Sequence, residues 1–264
     1  MAFRQLLLFL YIAASSNANH PGSLNGGSLL ALASSNPHSP VALAITVDNR
    51  FAAGPQLISG TTPKKILTIG SSVITAVGLQ GDTTTFLEEF ELISSQKHFE
   101  KARPLTRLPF LPGISKLEPS QMSPRELTDL AVQLLTGKQF QSSLFVTVVV
   151  AGVDQSGKEY LASIDHGGNV SCDSNLVAAG TALKSLMVAV GVGEGEGGNE
   201  GGDESEKNDE NDWSALPQRC EEAFMEAIER DCFSGNGGLT VCVARDGSIY
   251  QRVVPGGKNR IRND

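Results

Sequence analysis

The residue types that most often carry chemistry, cysteine and histidine, are few and scattered in this chain. No C-x-x-C pair occurs, and no histidines lie near cysteines at the spacing of a zinc site. Only His166 follows an acid, Asp165. We therefore predict no metal and no cofactor, with buried free thiols at the cysteines and solvated loops around the histidines: Cys172, Cys220, Cys232, Cys242, His20, His38, His98 and His166.

The acidic charge of the chain is concentrated in one glycine-rich segment. Of 29 acids and 21 lysines and arginines, nine acids and one lysine lie in residues 191–213, which we expect to form a disordered loop. The remainder carries twenty charges of each sign, so it lacks the excess of basic residues that binds nucleic acid or an anionic membrane. No Walker or G-x-G-x-x-G motif follows a predicted strand, which leaves proteins or peptides as the expected partners.

The N-terminus carries a pattern that is compatible with secretion. Residues 6–14 form an apolar run after Arg4, and the small residues at 16–18 suit a cleavage site. The run is too short to span a bilayer as a helix. The alternative is an N-terminal extension or propeptide over residues 1–24 without a targeting role.

Short apolar runs joined by turns dominate the chain after residue 24. Each of four pairs of runs flanks a short turn and predicts a hairpin: 28–34 with 41–47, 65–70 with 73–78, 144–154 with 159–165, and 239–244 with 248–254. Both runs of the second pair are too apolar for strands with one face in water. Two sheets packed face to face would bury them.

Helical periodicity appears in four segments. A first helix is expected after Asp82, a candidate N-cap, because the apolar residues that follow recur at spacings of four and three. The four prolines within residues 101–122 then predict an irregular loop. Ser123 and Glu126 form a capping box at the start of a second helix. A short helix follows Gly180, and residues 216–228 form the last amphipathic helix.

The order of these elements predicts the class of fold. Helices that occur in pairs between antiparallel hairpins favour an α+β layered sandwich over a parallel doubly wound sheet. We expect a single domain over residues 25–255, which includes the proline-rich loop and the acidic insertion, followed by a tail at 256–264.

Six short strings stand along the chain in a characteristic order and spacing. They are NGGSLLAL at 25–32, VDNRF at 47–51, KKI at 64–66, AGVD at 151–154, AGT at 179–181 and DCFSG at 231–235. In this order they resemble the β-type subunits of the 20S proteasome, members of the N-terminal nucleophile hydrolase superfamily. Residues 48–51 with Gln56, and residues 234–237, are most similar to the type-3 branch, with the type-6 branch as the nearest competitor.

The resemblance implies a four-layer αββα sandwich of two antiparallel sheets flanked by helix pairs. It also implies a site. Active members use an N-terminal threonine, whose hydroxyl attacks the peptide carbonyl while its own amine acts as the base. A lysine and carboxylates support that chemistry. The resemblance places counterparts of this support at Asp48, Lys65, Thr181, Asp231 and Ser234.

The nucleophile itself is missing in the alignment that the resemblance implies. Residues 30–32 match a family triplet, and counting back from it places Gly27, which has no hydroxyl, at the nucleophile position. A shift by one residue would expose Ser28 as a serine nucleophile, but it breaks the triplet. Asp48 and Lys65 also have a structural interpretation, because a buried ion pair fixes local packing whether or not a nucleophile is present.

The resemblance therefore implies an architectural role rather than catalysis by this chain. A non-catalytic subunit would complete the β ring and the chamber of a threonine-type endopeptidase complex for ubiquitin-dependent and other intracellular protein degradation. The implied partners are other β subunits, the α ring, the opposite β ring and unfolded polypeptide, with no nucleic acid and no membrane. The implied location is the cytoplasm and nucleus. A self-processing peptidase that uses Ser28, and a secreted hydrolase-like domain, are the alternatives.

Overall fold

The chain folds into two antiparallel sheets. The computed structural model describes residues 24–49, 51–53, 56–58, 65–106, 122–137, 144–172, 175–191, 214–230 and 237–255. The strands are β1 (Leu24–Gly26), β2 (Ser28–Ala33), β3 (Val41–Asp48), β4 (Phe51–Ala53), β5 (Gln56–Ile58), β6 (Ile66–Ile69), β7 (Ser72–Leu79), β8 (Val146–Val153), β9 (Glu159–Ile164), β10 (Val170–Ser171), β11 (Leu176–Gly180), β12 (Gly238–Ala244) and β13 (Ile249–Val254).

The two sheets differ in size and in how they are assembled. The first has eight strands in the order β10-β9-β8-β7-β1-β4-β5, and β6 also pairs with β7. The second has five strands in the order β11-β2-β3-β12-β13. The apolar runs paired by the sequence analysis are neighbours in these sheets, so all four predicted hairpins are confirmed.

Helices cover the outer faces of both sheets. They are α1 (Gln80–Thr106), α2 (Pro124–Thr136), α3 (Leu183–Ala189) and α4 (Ala215–Glu229). One apolar cluster lies between the first sheet and α1 and α2, a second lies between the sheets, and a third joins the second sheet to α3 and α4. These three buried layers require four layers of secondary structure. The predicted α+β sandwich is confirmed.

The start of α2 is set by its own sequence. The Glu126 amide donates to the Ser123 hydroxyl at 3.3 Å, and the Glu126 carboxylate accepts from the Ser123 amide at 2.8 Å. Pro124 occupies the first helical turn, where its missing N–H has no helical partner to lose. The predicted capping box is confirmed.

The prediction for α1 is wrong at both ends. The helix begins at Gln80, so Asp82 lies in its first turn, and the Asp82 carboxylate accepts a hydrogen bond from the Phe145 amide at 2.8 Å instead of capping the helix. The helix also continues to Thr106, although residues 101–122 were expected to be irregular. Pro104 lies in the last turn of the helix, so the helix extends past the first of the four prolines. Residues 107–121 lie outside the described residues.

The predictions for cysteine and histidine hold in part. Cys220 and Cys242 are buried free thiols as expected, but Cys172 is exposed. His38 and His166 lie exposed outside helices and strands as expected, whereas the backbone of His98 belongs to α1. Cys232 and His20 lie outside the described residues, as do residues 1–23, 192–213 and 256–264. In the described part of the chain, no helix is long and apolar enough to cross a membrane.

Candidate functional site

Four of the predicted site residues meet at one end of the sandwich. Gly27 lies between β1 and β2, Asp48 is the last residue of β3, Lys65 precedes β6, and Thr181 follows β11. These positions come from both sheets, so the site is formed only when the two sheets pack together. Asp231 and Ser234 lie outside the described residues.

A buried ion pair forms the centre of this site. The Lys65 Nζ donates to the Asp48 Oδ1 at 2.7 Å, and the exposed fractions of the two side chains are 5% and 0%. The Ser28 amide donates to the same Oδ1 at 3.1 Å. Burial lowers the pKa of Lys65, while the attraction and the hydrogen bond of Asp48 oppose that shift. Each charge of the pair therefore offsets the cost of burying the other charge.

Gly27 occupies the position next to the pair and leaves no room for a side chain. Its φ of +74° lies in the left-handed region, where glycine alone is unstrained. A Cβ built at this residue would overlap the Asp48 Oδ1 and the Lys65 Nζ, and would lie 3.2 Å from the Asp48 Cγ. The ion pair thus occupies the space that a Cβ atom at residue 27 would need.

Ser28 is held by the turn that follows β11. Its side chain is fully buried, and its hydroxyl accepts from the Ala182 amide at 2.9 Å and lies 3.3 Å from the Thr181 hydroxyl. The Thr181 amide donates to the Gly27 carbonyl at 3.4 Å. The hydrogen bonds of the Ser28 hydroxyl therefore hold the start of β2 against the turn that precedes α3.

Gly180 allows this close approach. Its φ is +101°, and an added Cβ would overlap the Gly27 carbonyl oxygen and lie 2.7 Å from the Ser28 Cα. Neither Gly180 nor Ala182 was predicted to belong to the site. The available signal was the string at 179–181, which placed a glycine directly before Thr181.

An open cleft of about 550 Å³ adjoins the site between the two sheets. Gly27 and Thr181 line it together with Gly78, Phe145 and His166. The Phe145 ring stacks on the His166 ring with centroids 6.0 Å apart, and half of the Phe145 side chain is exposed. The walls of the cleft are mostly apolar, with polar side chains at Thr147, His166 and Thr181. Residue 27 itself contributes no hydroxyl.

Comparison with known proteins gives two relatives. The first is a proteasome subunit beta type-3 from Picea mariana, 25% identical over 232 residues, which are 88% of this chain and 96% of that protein. The second is a proteasome subunit beta type-3 from Caenorhabditis elegans, 26% identical over 226 residues, which are 85% of this chain and 92% of that protein. No family model matches the chain.

The four-layer sandwich, with these site residues at one end, is of the N-terminal nucleophile hydrolase type. Within that class, the chain is similar to proteasome subunits of beta type-3, at 25% and 26% identity. The resemblance inferred from the six short strings is therefore confirmed. The relatives match over nearly their full length, so the likeness covers the sandwich as a whole.

Proposed function

We propose that this chain is a non-catalytic structural β subunit of the 20S proteasome core. It would complete the β ring and help to enclose the chamber in which catalytic subunits degrade unfolded polypeptide. The names of both relatives support membership of such an assembly. The near-neutral charge outside residues 191–213 agrees with protein partners: neighbouring β subunits, the α ring and the opposite β ring.

The observation that carries this proposal is the environment of Gly27. A nucleophile at this position needs a side-chain oxygen, and the space for a Cβ is already taken by the Asp48–Lys65 pair. The absence of a hydroxyl is therefore built into the local packing. A single substitution to threonine would have to move a buried ion pair and also adopt a strained φ.

The alternative nucleophile, Ser28, is poorly placed for attack. Its hydroxyl is fully buried and already accepts a hydrogen bond from the Ala182 amide. The Ser28 backbone nitrogen donates to Asp48. In the intact chain this nitrogen is bonded to the carbonyl carbon of Gly27, so it is an amide and not a basic amine. A serine peptidase would require cleavage after Gly27 and release of these contacts.

The Asp48–Lys65 pair takes a structural role in this proposal. Both side chains are buried, and together they fix the end of β3 against the start of β6 and, through the Ser28 amide, against the start of β2. Loss of either partner would remove the opposite charge that lies 2.7 Å from the other buried charge. This need alone is enough to retain the pair in a chain without a nucleophile.

The proposed location follows from the proposed assembly and is the cytoplasm and nucleus. Neither relative supports the secretory alternative, because both are named as proteasome subunits. The apolar run at residues 6–14, which suggested that alternative, lies outside the described residues.

A covalent probe tests whether the chain is catalytic. The purified assembly is treated with a peptide epoxyketone, and each subunit is weighed by mass spectrometry. We expect adducts on catalytic neighbours and none on this chain. The substitution Ser28→Ala should leave every peptidase activity of the assembly at the level of the matched control Ser35→Ala, which changes an exposed serine. An adduct on Ser28 would establish the serine peptidase instead.

The assembly itself is tested by native mass spectrometry of the endogenous protein. We expect this chain to migrate within a complex of several hundred kilodaltons that contains other β-type subunits and α-type subunits. Recovery as a free monomer with full solubility would contradict the structural role.

A further inference from the structure

Strand β13 forms one outer edge of the five-stranded sheet. It pairs with β12 over its whole length, and in the part of the chain that the structure describes no strand pairs with its other side. Its six residues make it longer than the strands at the other ends of the two sheets, since β11, β5 and β10 have five, three and two residues. A long free edge presents backbone donors and acceptors that another strand can bind.

The turn before β13 fixes which backbone groups point away from the sheet. The Ala244 amide donates to the Ser248 carbonyl at 2.8 Å, so these two residues form a hydrogen-bonded pair. Hydrogen-bonded and non-hydrogen-bonded pairs alternate along an antiparallel ladder. The backbone groups of β13 therefore bind β12 and point outward at alternate residues. Those that point outward belong to Ile249, Gln251 and Val253.

The side chains of β13 are exposed on both faces of the strand. Ile249 packs against the apolar layer between the sheets. Val253 lies on the same face but is 70% exposed, so the first sheet does not cover the end of the strand. Tyr250, on the opposite face, is 51% exposed. An apolar edge strand of this kind is a surface on which another chain can pair.

Strand β13 has few of the features by which proteins protect a free edge. Its register with β12 runs without a bulge, and no proline interrupts it. Its one charged residue, Arg252, pairs with Glu221 of α4, so this charge is balanced within the chain. No unbalanced charge on β13 therefore opposes an incoming strand, and none asks for an opposite charge on it.

We propose that the outer edge of β13 binds an extended, uncharged segment of another subunit, which adds a strand to the five-stranded sheet. The backbone of the partner pairs with Ile249, Gln251 and Val253, and an apolar side chain of the partner covers Val253. The inference rests on the proposed function, because a neighbour in the assembly supplies the segment.

Residue-resolved hydrogen exchange compares the isolated full chain with the chain in its purified assembly. We expect the amides of Ile249, Gln251 and Val253 to exchange about tenfold more slowly in the assembly. The amides of Tyr250 and Arg252 are the internal reference, because they bind β12 in both samples. Equal exchange of the outward amides in the two samples would overturn the proposal.

The isolated chain also tests two other occupants of this edge. Slow exchange of the outward amides in an isolated monomer would assign the edge to a segment of the chain itself, such as residues 256–264. Slow exchange together with a dimer of the isolated chain would assign the edge to a second copy. Either result would overturn the proposal.

Matched proline substitutions test the edge through assembly. Val253→Pro removes an outward amide from β13 and leaves the hydrogen bonds to β12 in place. Val170→Pro is the control on the two-residue edge strand β10. The Asp165 amide donates to the Asn169 carbonyl at 3.1 Å, so by the same alternation the Val170 amide points outward. We expect the fraction of chain found in the assembly to fall severalfold only for Val253→Pro, and equal fractions would overturn the proposal.

A lysine substitution covers the case in which Val253→Pro does not fold. Val253→Lys keeps the backbone of β13 and places a charge beside the incoming strand. Its control is Val170→Lys, and urea denaturation of the isolated chains checks that both variants fold. Equal incorporation of these two variants would also overturn the proposal.

Failure of this inference is distinct from failure of the proposed function. An assembly that contains this chain, with outward amides of β13 that exchange freely, contradicts the inference alone. Recovery of the chain only as a free monomer contradicts the proposed function as well.

Discussion

The two ends of the sandwich each contain a cation paired with a carboxylate, and the two pairs differ in how they are satisfied. At one end, Lys65 and Asp48 are almost wholly buried. At the other end, Arg245 pairs with Glu159 at 2.9 Å, and 22% and 31% of these side chains remain exposed. The first pair is enclosed beside a residue that cannot carry a side chain, whereas the second is open to water.

The Arg245 guanidinium also binds backbone carbonyl groups. Besides Glu159, it donates to the carbonyls of Asn36, Ser39 and Gly157, at distances from 2.9 to 3.3 Å. One side chain thus holds the turns after β2, β8 and β12. Loss of one partner should therefore destabilise the fold more at the buried pair than at the open pair. At the open pair, Arg245 also binds backbone carbonyls, and water can replace part of what is lost.

The largest effect is expected when the buried pair is broken. Lys65→Ala should lower the free energy of unfolding by about 3–5 kcal/mol, because the buried Asp48 carboxylate loses its 2.7 Å contact with the Lys65 cation. Urea denaturation measures this change. The double variant Lys65→Met, Asp48→Asn should recover much of it, since no buried charge remains and the Asn side-chain oxygen can still accept from the Ser28 amide. If the double variant is no more stable than Lys65→Ala, the ion pair is not the cause of the loss.

The second-largest effect is expected at Gly27, which lies beside the buried Asp48–Lys65 pair. Gly27→Ala should destabilise the chain by about 1–3 kcal/mol more than Gly191→Ala, because the added methyl overlaps Asp48 and Lys65. Gly191 is the matched control, with a φ of +85° and no atom within 4 Å of an added Cβ. Thermal or urea unfolding of both variants gives the difference. Equal losses would mean that the positive φ alone accounts for the cost.

Restoring a hydroxyl at the same position should not restore chemistry. Gly27→Thr is expected to be destabilised at least as much as Gly27→Ala and to form no adduct with a peptide epoxyketone. The physical reason is that the nitrogen of residue 27 is an amide in the intact chain and cannot act as the general base. Intact mass measured after incubation with the probe checks this result, and an adduct at residue 27 would contradict it.

A smaller effect is expected at the open end. Arg245→Gln should cost about 1–2 kcal/mol, because water can reach the released carbonyls and Glu159. Hydrogen exchange should increase in the turns around Asn36 and Gly157 and stay unchanged at the Lys65 end. Arg230→Gln, which removes an exposed pair with Glu226, is the control and should cost less.

The smallest effect is a pH dependence of the open pair. Burial opposes ionisation of Glu159, but hydrogen bonds from the backbone and Arg245 outweigh it and lower the pKa below the ordinary value of 4.5. A lowered carboxyl pKa stabilises the folded chain above pH 4.5, and this contribution is lost as the pH falls through the folded-state pKa. The stability difference between the native chain and Glu159→Gln should therefore shrink in acid. A constant difference from pH 7 to pH 3 would contradict the assignment.

The features that were predictable from sequence are local ones. The capping box of Ser123 and Glu126 and the four hairpins each depend on residues close in the chain, where spacing and turn residues carry the information. The resemblance also placed Asp48, Lys65 and Thr181 near Gly27, and the structure brings these residues together.

The features that escaped prediction depend on distant segments. The three residues of β1 are too few to show a strand periodicity, and their place between β4 and β7 depends on the whole sheet. The same is true of the close approach of Gly180 to Gly27, and of Arg245, which reaches carbonyls more than 80 residues away. Asp82 was misassigned because its partner, the Phe145 amide, lies 63 residues further along the chain.

The guanidinium of Arg245 has a consequence for how chains of this kind can vary in length. Arg245 belongs to the turn after β12, and its planar guanidinium binds carbonyls in the turns after β2 and β8. An inserted or deleted residue in any of these three turns would therefore move the arginine or a carbonyl out of reach. Relatives that keep this arginine should share the same number of residues in all three turns. Relatives that lose it should be free to gain or shed residues in each turn independently.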